Sequence, residues 1–265
     1  PKGTADFASF LERGGTADLE EVRRRSSAAR GEDLGLIMFT SGTTGLPKGV
    51  LVTQYPLLRA FDYYAQELGV RAKDRVLVIS PFFHAFGFGG AITPCFMNGA
   101  TILPHPVYDP ESVLQRIQED AVTIFTGPPA LFQGLFDHEA RTLYDISSLR
   151  GSVLGASNIA IETVIAMREK LGFETVLTGF GMTETHGLAT LCKRGDPPEL
   201  VASTSGKAIP GVELRVVDDD GQVLLPGEQG ELQIKGYVVM SGYLDDAEQT
   251  AETIDSEGWL RTGDI

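Results

Sequence analysis

Cysteine is scarce in this sequence. Cys95 and Cys192 are the only two among 265 residues, they lie far apart, and neither belongs to a CxxC pattern. A disulfide framework or a thiolate metal site is therefore disfavoured, and we expect both side chains to be small buried hydrophobes. Long apolar runs are also missing, since no segment approaches the roughly 18 residues of a membrane span. Residues 1–30 lack a secretory pattern, so we expect a soluble, cytoplasmic protein.

Basic residues are few as well. The chain has 22 Lys and Arg against 36 Asp and Glu, a formal net charge of −14. This balance argues against a nucleic-acid partner, and a polyanionic substrate would need backbone amides and a few cations to bind it. His105, His138 and His186 show no metal-ligand spacing. An apolar share of 42% with 22% charged residues excludes a disordered or collagen-like chain.

From residue 34 to about residue 200, short β-rich apolar runs alternate with amphipathic stretches of helical length. This alternation predicts βαβ units and an α/β fold with a mainly parallel sheet and flanking helices. The expected strands are residues 34–39, 76–79, 101–103, 122–125, 153–154 and 176–177. The expected helices are residues 56–68, 111–118 and 161–171.

The two ends of the chain have a different texture. Residues 1–33 are predicted to form a polar helix or connector. Residues 201–265 read as a smaller β-rich subdomain, with strands at 213–217, 223–225 and 231–235 and a helix at 246–253. We take 34–200 as one α/β subdomain. The chain starts without methionine and stops without a closing element, so we expect a piece of a longer protein.

The densest pattern is a stretch of glycines, hydroxyl residues and one lysine directly after the first apolar run. Glycines allow positive φ and close backbone approach, successive N–H groups can form an anion nest, and the lysine adds charge. The stretch therefore predicts a phosphate-binding loop. It consists of Thr40, Ser41, Gly42, Thr43, Thr44, Gly45, Leu46, Pro47, Lys48 and Gly49. The spacing does not match GxxxxGK[ST], which argues against an ordinary kinase or GTPase.

This loop and several further segments resemble the adenylate-forming superfamily of acyl-CoA synthetases, nonribosomal adenylation domains and luciferases. The segments follow the family's order and cover about residues 34–265. They are residues 81–87, 155–157, 179–184, 230–232 with Gly236, 242–243 and 258–264. Within the superfamily, residues 81–87, 127–131 and 236–243 look most like bacterial fatty acyl-CoA ligases. The resemblance implies that the chain is the central part of the large N-terminal domain, ending before the hinge, with 34–200 as its nucleotide- and acyl-binding subdomain.

The resemblance implies roles at the nucleotide. The loop with Lys48 would hold the β- and γ-phosphates, Thr183 would contact the α-phosphate, and Glu184 would bind Mg²⁺, a hard cation that prefers oxygen ligands. Phe180 stands where the family most often has a tyrosine against adenine, and it keeps the π-face without the hydroxyl. Asp264 would accept hydrogen bonds from both ribose hydroxyls.

The resemblance also implies the surroundings of the acyl group. Gly155, Ala156 and Ser157 look like the small-residue turn that lines the adenine and acyl pocket. Gly179 and Gly181 indicate close backbone approach. His84 corresponds to a histidine beside the substrate carboxylate that helps to gate its entry. An apolar lining suited to a hydrophobic acid is expected from Phe86, Phe88 and Phe132.

The implied reaction has two steps. A carboxylate, which the resemblance implies is that of a fatty acid, attacks the α-phosphate of ATP to give acyl-AMP and pyrophosphate, and the thiol of coenzyme A then displaces AMP. Family members bring an adenylation lysine on a C-terminal domain beyond the Thr-Gly-Asp segment. We therefore expect this chain to bind adenylate with little turnover alone.

Three alternatives remain at this point. An adenylation domain that loads a carrier protein would share the first half-reaction and differ in its acceptor. A luciferase-like oxidation would produce light with oxygen. A non-catalytic nucleotide-binding remnant would bind Mg·ATP without pyrophosphate exchange, although the intact loop and Thr183-Glu184 argue against decay. Oligomeric state and the identity of the acid are not encoded in any of these motifs.

Overall fold

The computed structural model describes residues 6–15, 18–40, 47–155 and 157–265. Within these ranges the chain forms three β-sheets with helices around them. The strands are β1 (Leu34–Thr40), β2 (Lys48–Thr53), β3 (Arg75–Val78), β4 (Thr101–Pro104), β5 (Ile124–Phe125), β6 (Gly151–Leu154), β7 (Thr175–Phe180), β8 (Thr190–Leu191), β9 (Lys207–Ala208), β10 (Val212–Val217), β11 (Glu231–Gly236) and β12 (Leu260–Arg261).

Most helices are short. The α-helices are α1 (Phe7–Gly14), α2 (Leu19–Ala28), α3 (Gln54–Leu68), α4 (Ala85–Gly87), α5 (Thr93–Asn98), α6 (Pro110–Glu119), α7 (Pro129–Phe136), α8 (Ile161–Leu171), α9 (Pro198–Ser203) and α10 (Ala247–Thr253). A π-helical turn lies at Phe88–Ile92, and 3-10 turns lie at Glu139–Leu143 and Thr183–Thr185. None of the described helices is long and apolar enough to cross a membrane.

The largest sheet has seven strands in the order β4-β3-β5-β6-β7-β8-β9. The first five run parallel, and β8 and β9 extend the sheet with antiparallel pairing. Every residue of β6 is buried, which is the pattern of a parallel strand covered on both faces. The α/β class and the mainly parallel sheet are thus confirmed. Cys95 and Cys192 are both buried and free, as expected.

The first predicted strand does not join this sheet. β1 pairs with β2 in an antiparallel hairpin, with Thr40 opposite Lys48, so its assignment to the parallel alternation was wrong. The physical reason is chain length: too few residues separate the two strands for a parallel crossover, which takes about a dozen or more. The loop residues Ser41, Gly42, Thr43, Thr44 and Gly45 lie outside the described ranges.

The third sheet is antiparallel, in the order β10-β11-β12. It confirms the strands expected at 213–217 and 231–235, which pair directly with each other as β10 and β11. The strand expected at 223–225 was wrong: Val223 makes only an isolated bridge with Val217. Val223 and Leu225 are 63% and 73% exposed, so a longer strand there would bury little apolar surface. The expected helix is confirmed as α10, and Asp246 accepts the Gln249 N–H at its N-terminus.

Contacts between these units determine where the site lies. The hairpin is hydrogen-bonded to the β-rich region, because the Leu51 N–H donates to the Gly242 carbonyl at 3.0 Å and the Leu244 N–H donates to the Gly49 carbonyl at 2.7 Å. β9 lies in the large sheet although it follows residue 200. The β1-β2 hairpin is therefore positioned between the large sheet and the β-rich region.

Candidate active site

A cavity of about 870 Å³ opens where β6 and β7 end, between the β1-β2 hairpin and the β-rich region. In open α/β sheets, ligands bind outside the carboxyl ends of the strands. The cavity brings together most of the residues that the sequence nominated. Those lining it are Thr40, Lys48, His84, Gly155, Gly179, Phe180, Gly181, Thr183 and Glu184.

A second cavity of about 670 Å³ adjoins the first. Ser157 and Asp264 line it, while Gly155, Gly179, Phe180 and Gly181 line both cavities. Phe180, half-buried at the end of β7, is one of the residues at the junction of the two spaces. The predicted residues thus fall into two adjoining groups, one with Lys48 and Glu184 and one with Asp264. Ala156 lies outside the described residues.

Close backbone packing holds the segment after β7 in place. A Cβ on Gly181 would lie 2.3 Å from the Gly187 carbonyl oxygen, and one on Gly179 would lie 2.7 Å from the Thr190 carbonyl oxygen. Larger residues at these positions would force the turn apart. The predicted close approach is therefore made to the chain's own backbone, beside the two cavities. This turn places Thr183 and Glu184 on the cavity wall.

Glu184 is buried, with 7% of its surface exposed, and it has a specific partner. The Tyr243 hydroxyl donates a hydrogen bond to Glu184 Oε1 at 2.8 Å. The ammonium of Lys48 lies 5.1 Å from the centroid of the same tyrosine ring, which is within cation–π range. Burial and the neighbouring Glu184 carboxylate raise the pKa of Tyr243, so its hydroxyl remains a donor.

Tyr243 therefore joins two predicted residues that come from distant parts of the chain. The sequence analysis quoted it within a matching segment and assigned it no role. The Gly242-Tyr243 pair was the sequence signal that could have pointed to it. In the structure Gly242 has φ 141°, and a Cβ there would lie 3.0 Å from the Thr250 side chain, so glycine is needed beside Tyr243. Tyr243 receives further support because its N–H donates to Thr250 Oγ1 at 2.9 Å.

A single carboxylate is enough for a magnesium ion whose other ligands are mostly phosphate oxygens and water. Within the described ranges, no group of three or more His, Cys, Asp or Glu side chains could hold a metal by itself. Mg²⁺ commonly takes one or two carboxylates together with phosphate oxygens and water. Glu184, oriented by Tyr243 and on the cavity wall, suits that ligand set.

His186 is a buried histidine to which the sequence gave no role. Its Nδ1 lies 2.7 Å from the Val238 carbonyl oxygen, and the Thr53 N–H donates to its Nε2 at 3.1 Å. Burial lowers the pKa of the ring, and this hydrogen-bond pattern requires a neutral imidazole that carries its proton on Nδ1. His186 thus fastens the turn at Glu184 to the hairpin and to the β-rich region.

His84 stands at the start of α4 and lines the main cavity. It is exposed, and its Nδ1 accepts the Phe86 N–H at 3.2 Å. The accepting nitrogen must be unprotonated in this arrangement, which leaves Nε2 to carry a proton. His84 is thereby oriented by its own helix turn, at the entrance of the space that Phe86 lines.

Asp264 is exposed and lines the second cavity. The segment that carries it is pinned to β11, because Thr262 Oγ1 donates to the Leu232 carbonyl at 2.6 Å and the Leu232 N–H donates to the Asp264 carbonyl at 2.9 Å. Asp264 shares the lining of this cavity with Ser157 and Phe180. A two-oxygen acceptor in that position suits a ligand with neighbouring hydroxyls.

The apolar part of the main cavity differs from the expectation. Phe86 lines it, together with Phe61, Tyr64, Ala85 and Leu188. Phe132 does not belong there: it is fully buried in the core and packs on Phe125 and Phe173 at centroid distances of 4.9 and 6.0 Å. Phe88 also packs against the core. The sequence did not show which phenylalanines line the cavity. Part of the cavity wall comes from α3, which lies outside the matching segments.

The chain is thus an α/β protein with two adjoining cavities at the carboxyl ends of its parallel strands. A profile of the AMP-binding enzyme family matches residues 3–244, and the chain belongs to that family. The relatives identified are CoA ligases and acyl-CoA synthetases.

Three comparisons give the scale of the similarity. A 3-[(3aS,4S,7aS)-7a-methyl-1,5-dioxo-octahydro-1H-inden-4-yl]propanoyl:CoA ligase of Rhodococcus jostii (strain RHA1) is 39% identical over 99% of this chain and 49% of its own length. The mitochondrial medium-chain acyl-CoA ligase ACSF2 of Macaca fascicularis is 31% identical over 99% of this chain and 44% of its own length. The crystal structure of the anthranilate CoA ligase AuaEII with anthranoyl-AMP superposes with a TM-score of 0.80 at 28% identity, over 89% of this chain and 45% of that one. The chain thus spans about half the length of the curated relatives it matches.

Proposed function

We propose that the protein containing this chain is an AMP-forming acid–CoA ligase. A carboxylate oxygen attacks the α-phosphorus of ATP, the bond to the β-phosphate oxygen breaks, and pyrophosphate leaves. The thiol sulfur of coenzyme A then attacks the acyl carbon, the bond to AMP breaks, and the thiol proton passes to solvent. Coenzyme A is favoured over a carrier protein because the similar proteins are named CoA ligases.

The observation that carries this proposal is the continuity of the two cavities. Lys48, Thr183 and Glu184 line one, Asp264 lines the other, and Phe180 lines both. A nucleoside in the second cavity would direct its phosphates toward Lys48 and Glu184. An apolar space opens from the same cavity for the acyl group. Positioning and charge neutralisation account for most catalysis of such in-line phosphorus chemistry.

We assign the phosphate contacts as follows. Thr40, Lys48 and the loop of Ser41, Gly42, Thr43, Thr44 and Gly45 hold the β- and γ-phosphates. Thr183 contacts the α-phosphate, and Glu184 holds Mg²⁺, which neutralises the phosphate charge when it is bound. Tyr243 fixes the Glu184 carboxylate by its hydrogen bond of 2.8 Å.

The nucleoside and the carboxylate have their own residues. Phe180 stacks on adenine and Asp264 accepts from the ribose hydroxyls. The turn of Gly155, Ala156 and Ser157, with Gly179 and Gly181, shapes the space around the adenylate. His84 lies at the carboxylate. For the described residues these assignments rest on the lining of the cavities and on the chemistry of each group, and for Ala156 on its place in the matching segment.

The acid has a large apolar body. A fatty acid fits the lining by Phe61, Phe86 and Leu188, and it is the simplest substrate. A fused-ring acid that carries ketone groups is a second candidate. It is favoured because the relative named for such an acid is 39% identical, whereas the medium-chain ligase is 31% identical.

Two experiments test this function. The whole protein should catalyse acid-dependent exchange of radiolabelled pyrophosphate into ATP, and the absence of exchange with any apolar acid would contradict the proposal. The 265-residue chain should bind a non-hydrolysable acyl-sulfamoyl adenosine in calorimetry while showing little exchange. We propose this division because the chain spans about half of its relatives. Exchange by the chain at the rate of the whole protein would refute that division.

A further inference from the structure

Arg261 is a cation on the wall of the main cavity, and none of the assignments above uses it. It lies on β12, it is exposed, and it lines the cavity that Lys48 and Glu184 also line. Among the residues that the structure describes, the Arg261 guanidinium has neither a hydrogen bond nor an ion pair. A guanidinium carries five N–H donors and stays charged, so this side chain can bind an anion that enters the cavity.

The strand register shows which face of the small sheet carries Arg261. Arg261 is opposite Gln233 on β11, and side chains two positions apart on a strand lie on the same face. The other face is closed, because Ile234 and Leu260 are fully buried. Glu231, two positions from Gln233, lines the main cavity as Arg261 does. The face that carries Arg261 therefore borders the open space.

A second arginine in the same cross-strand row differs from Arg261, because its guanidinium is occupied. Arg215, on β10, is opposite Gln233 on the other side. It donates to Gln233 Oε1 at 2.8 Å and to Asp255 Oδ2 at 3.3 Å. Its Cζ also lies 4.2 Å from the centroid of the Trp259 ring. Protein groups therefore surround Arg215, whereas they leave Arg261 accessible to a ligand.

The charges on the cavity wall favour a phosphate group as that ligand. Among the described residues that line the main cavity, the permanent cations are Lys48 and Arg261, and the carboxylates are Glu184, Glu231 and Glu252. This wall belongs to a chain with a formal net charge of −14. A phosphate chain in this cavity depends on each cation, because the carboxylates repel it and few opposite charges are present.

The place of Arg261 in its segment favours the terminal phosphates over the α-phosphate. Asp264, three residues later, lines the second cavity, to which the ribose is assigned. Arg261 lines the main cavity, as does Lys48, to which the β- and γ-phosphates are assigned. These two phosphates carry most of the charge of ATP, and the planar guanidinium matches the geometry of phosphate oxygens.

We propose that Arg261 binds the β- and γ-phosphates of ATP together with Lys48 and holds pyrophosphate as it leaves. When the bond between the α-phosphorus and the bridging oxygen breaks, its electron pair stays on pyrophosphate. The guanidinium neutralises part of that charge and transfers no proton. This inference rests on the proposed function, because it places the triphosphate in the main cavity.

Pyrophosphate exchange by the whole protein tests this role. Arg261→Gln removes the charge and keeps a polar side chain. The concentrations of ATP and of pyrophosphate that give half-maximal exchange should each rise about tenfold, the effect of losing one charge-assisted hydrogen bond. Arg261→Lys should recover most of this loss, because it keeps a positive charge for the phosphates. The acid concentration for half-maximal exchange should stay the same in both variants.

Lys235→Gln provides a matched control for the loss of one positive charge. Lys235 lies on the same face of the small sheet, two positions from Gln233, and its Nζ is 5.6 Å from the centroid of the Trp259 ring. It lines neither cavity. Lys235→Gln should therefore leave both half-maximal concentrations unchanged. Equal losses in Lys235→Gln and Arg261→Gln would refute a direct contact between Arg261 and the phosphates.

A second ligand separates this inference from the proposed function. An acyl-sulfamoyl adenosine has no β- or γ-phosphate, so in calorimetry the 265-residue chain with Arg261→Gln should bind it as tightly as the original chain does. Unchanged dependence on ATP and pyrophosphate, or an equal loss of affinity for this ligand, would refute the role of Arg261 while the adenylate site stands. If the original protein shows no exchange and the folded chain does not bind the ligand, the proposed function fails and this inference fails with it.

Discussion

The two ends of the main cavity differ in how their polar groups are satisfied. At the phosphate end, Tyr243 donates to Glu184 and lies under Lys48, so three residues from distant segments form one linked group. At the acyl end, the described residues offer the Tyr64 hydroxyl nothing to bind. A preorganised polar group suits a step common to all substrates. That hydroxyl is closed off by its neighbours, so the acyl end presents an apolar wall, which suits discrimination by shape.

The largest effect should come from breaking the phosphate end at Glu184. Glu184→Gln removes the charge that would hold Mg²⁺ beside the phosphates, and kcat of the whole protein should fall at least about 100-fold. The measurement is pyrophosphate exchange at saturating ATP and acid. Glu199→Gln is the control, because Glu199 is exposed on α9. An unchanged kcat in Glu184→Gln would remove Glu184 from the mechanism.

A smaller loss at the same end should follow from Tyr243→Phe. The change keeps the ring under Lys48 and removes the hydrogen bond to Glu184. We expect the Mg²⁺ concentration for half-maximal exchange to rise about tenfold, since residues that orient a metal ligand typically contribute about 10- to 100-fold. Tyr237→Phe is the matched control, because the Tyr237 ring packs on Arg59 instead of Lys48, with the Arg59 Cζ 4.0 Å from the ring centroid. Equal Mg²⁺ dependence in the two variants would make Tyr243 merely structural.

Binding of an adenylate should depend on the Phe180 ring at the junction between the two cavities. Phe180→Ala removes the stacking surface, and binding of an acyl-sulfamoyl adenosine should weaken about tenfold or more, because stacking on one base contributes about 1–3 kcal/mol. Phe180→Tyr keeps the π-face and should bind within about threefold of the original. Calorimetry measures both. Weak binding by Phe180→Tyr, or unchanged binding by Phe180→Ala, would place adenine elsewhere.

The smallest effect concerns stability at His186. Its pKa in the folded chain is lowered below the ordinary value of 6.5, so the unfolded chain binds this proton more tightly. His186 therefore stabilises the fold above about pH 6.5, and its contribution declines as the pH falls through that value, by up to about 1.4 kcal/mol per pH unit.

His186→Asn isolates this contribution, because asparagine tolerates the left-handed backbone at φ 56° and cannot titrate. The free energy of unfolding, measured by denaturant titration from about pH 7.5 to about pH 5.5, should fall less steeply in the variant. Identical slopes in the two proteins would show that the imidazole does not carry the pH dependence.

The sequence predicted those features of the fold and of the site that depend on local sequence patterns. The alternation after residue 34 was sufficient for the α/β class, and the matching segments brought Thr183, Glu184, Phe180 and Asp264 to two adjoining cavities. Local pattern failed where pairing depends on distant residues. β1 reads like a sheet strand, yet its partner is β2, and a short connection permits only antiparallel pairing.

The remaining site residues owe their place to tertiary contacts. Tyr243 reaches Glu184 across 59 positions of sequence, and His186 reaches Thr53 across 133. Tyr64 is one of two adjacent tyrosines on α3, and only the helix rotation separates the cavity-lining ring from its half-buried neighbour. No motif of the sequence distinguishes the two.

A crystal structure of this chain with an acyl-sulfamoyl adenosine would test the central claim most directly, namely that the two cavities form one adenylate site. The account predicts adenine against Phe180, ribose at Asp264, and the acyl group in the apolar space beside Phe86 and α3. A nucleoside outside the cavity lined by Phe180 and Asp264, or an acyl group directed away from α3, would contradict it.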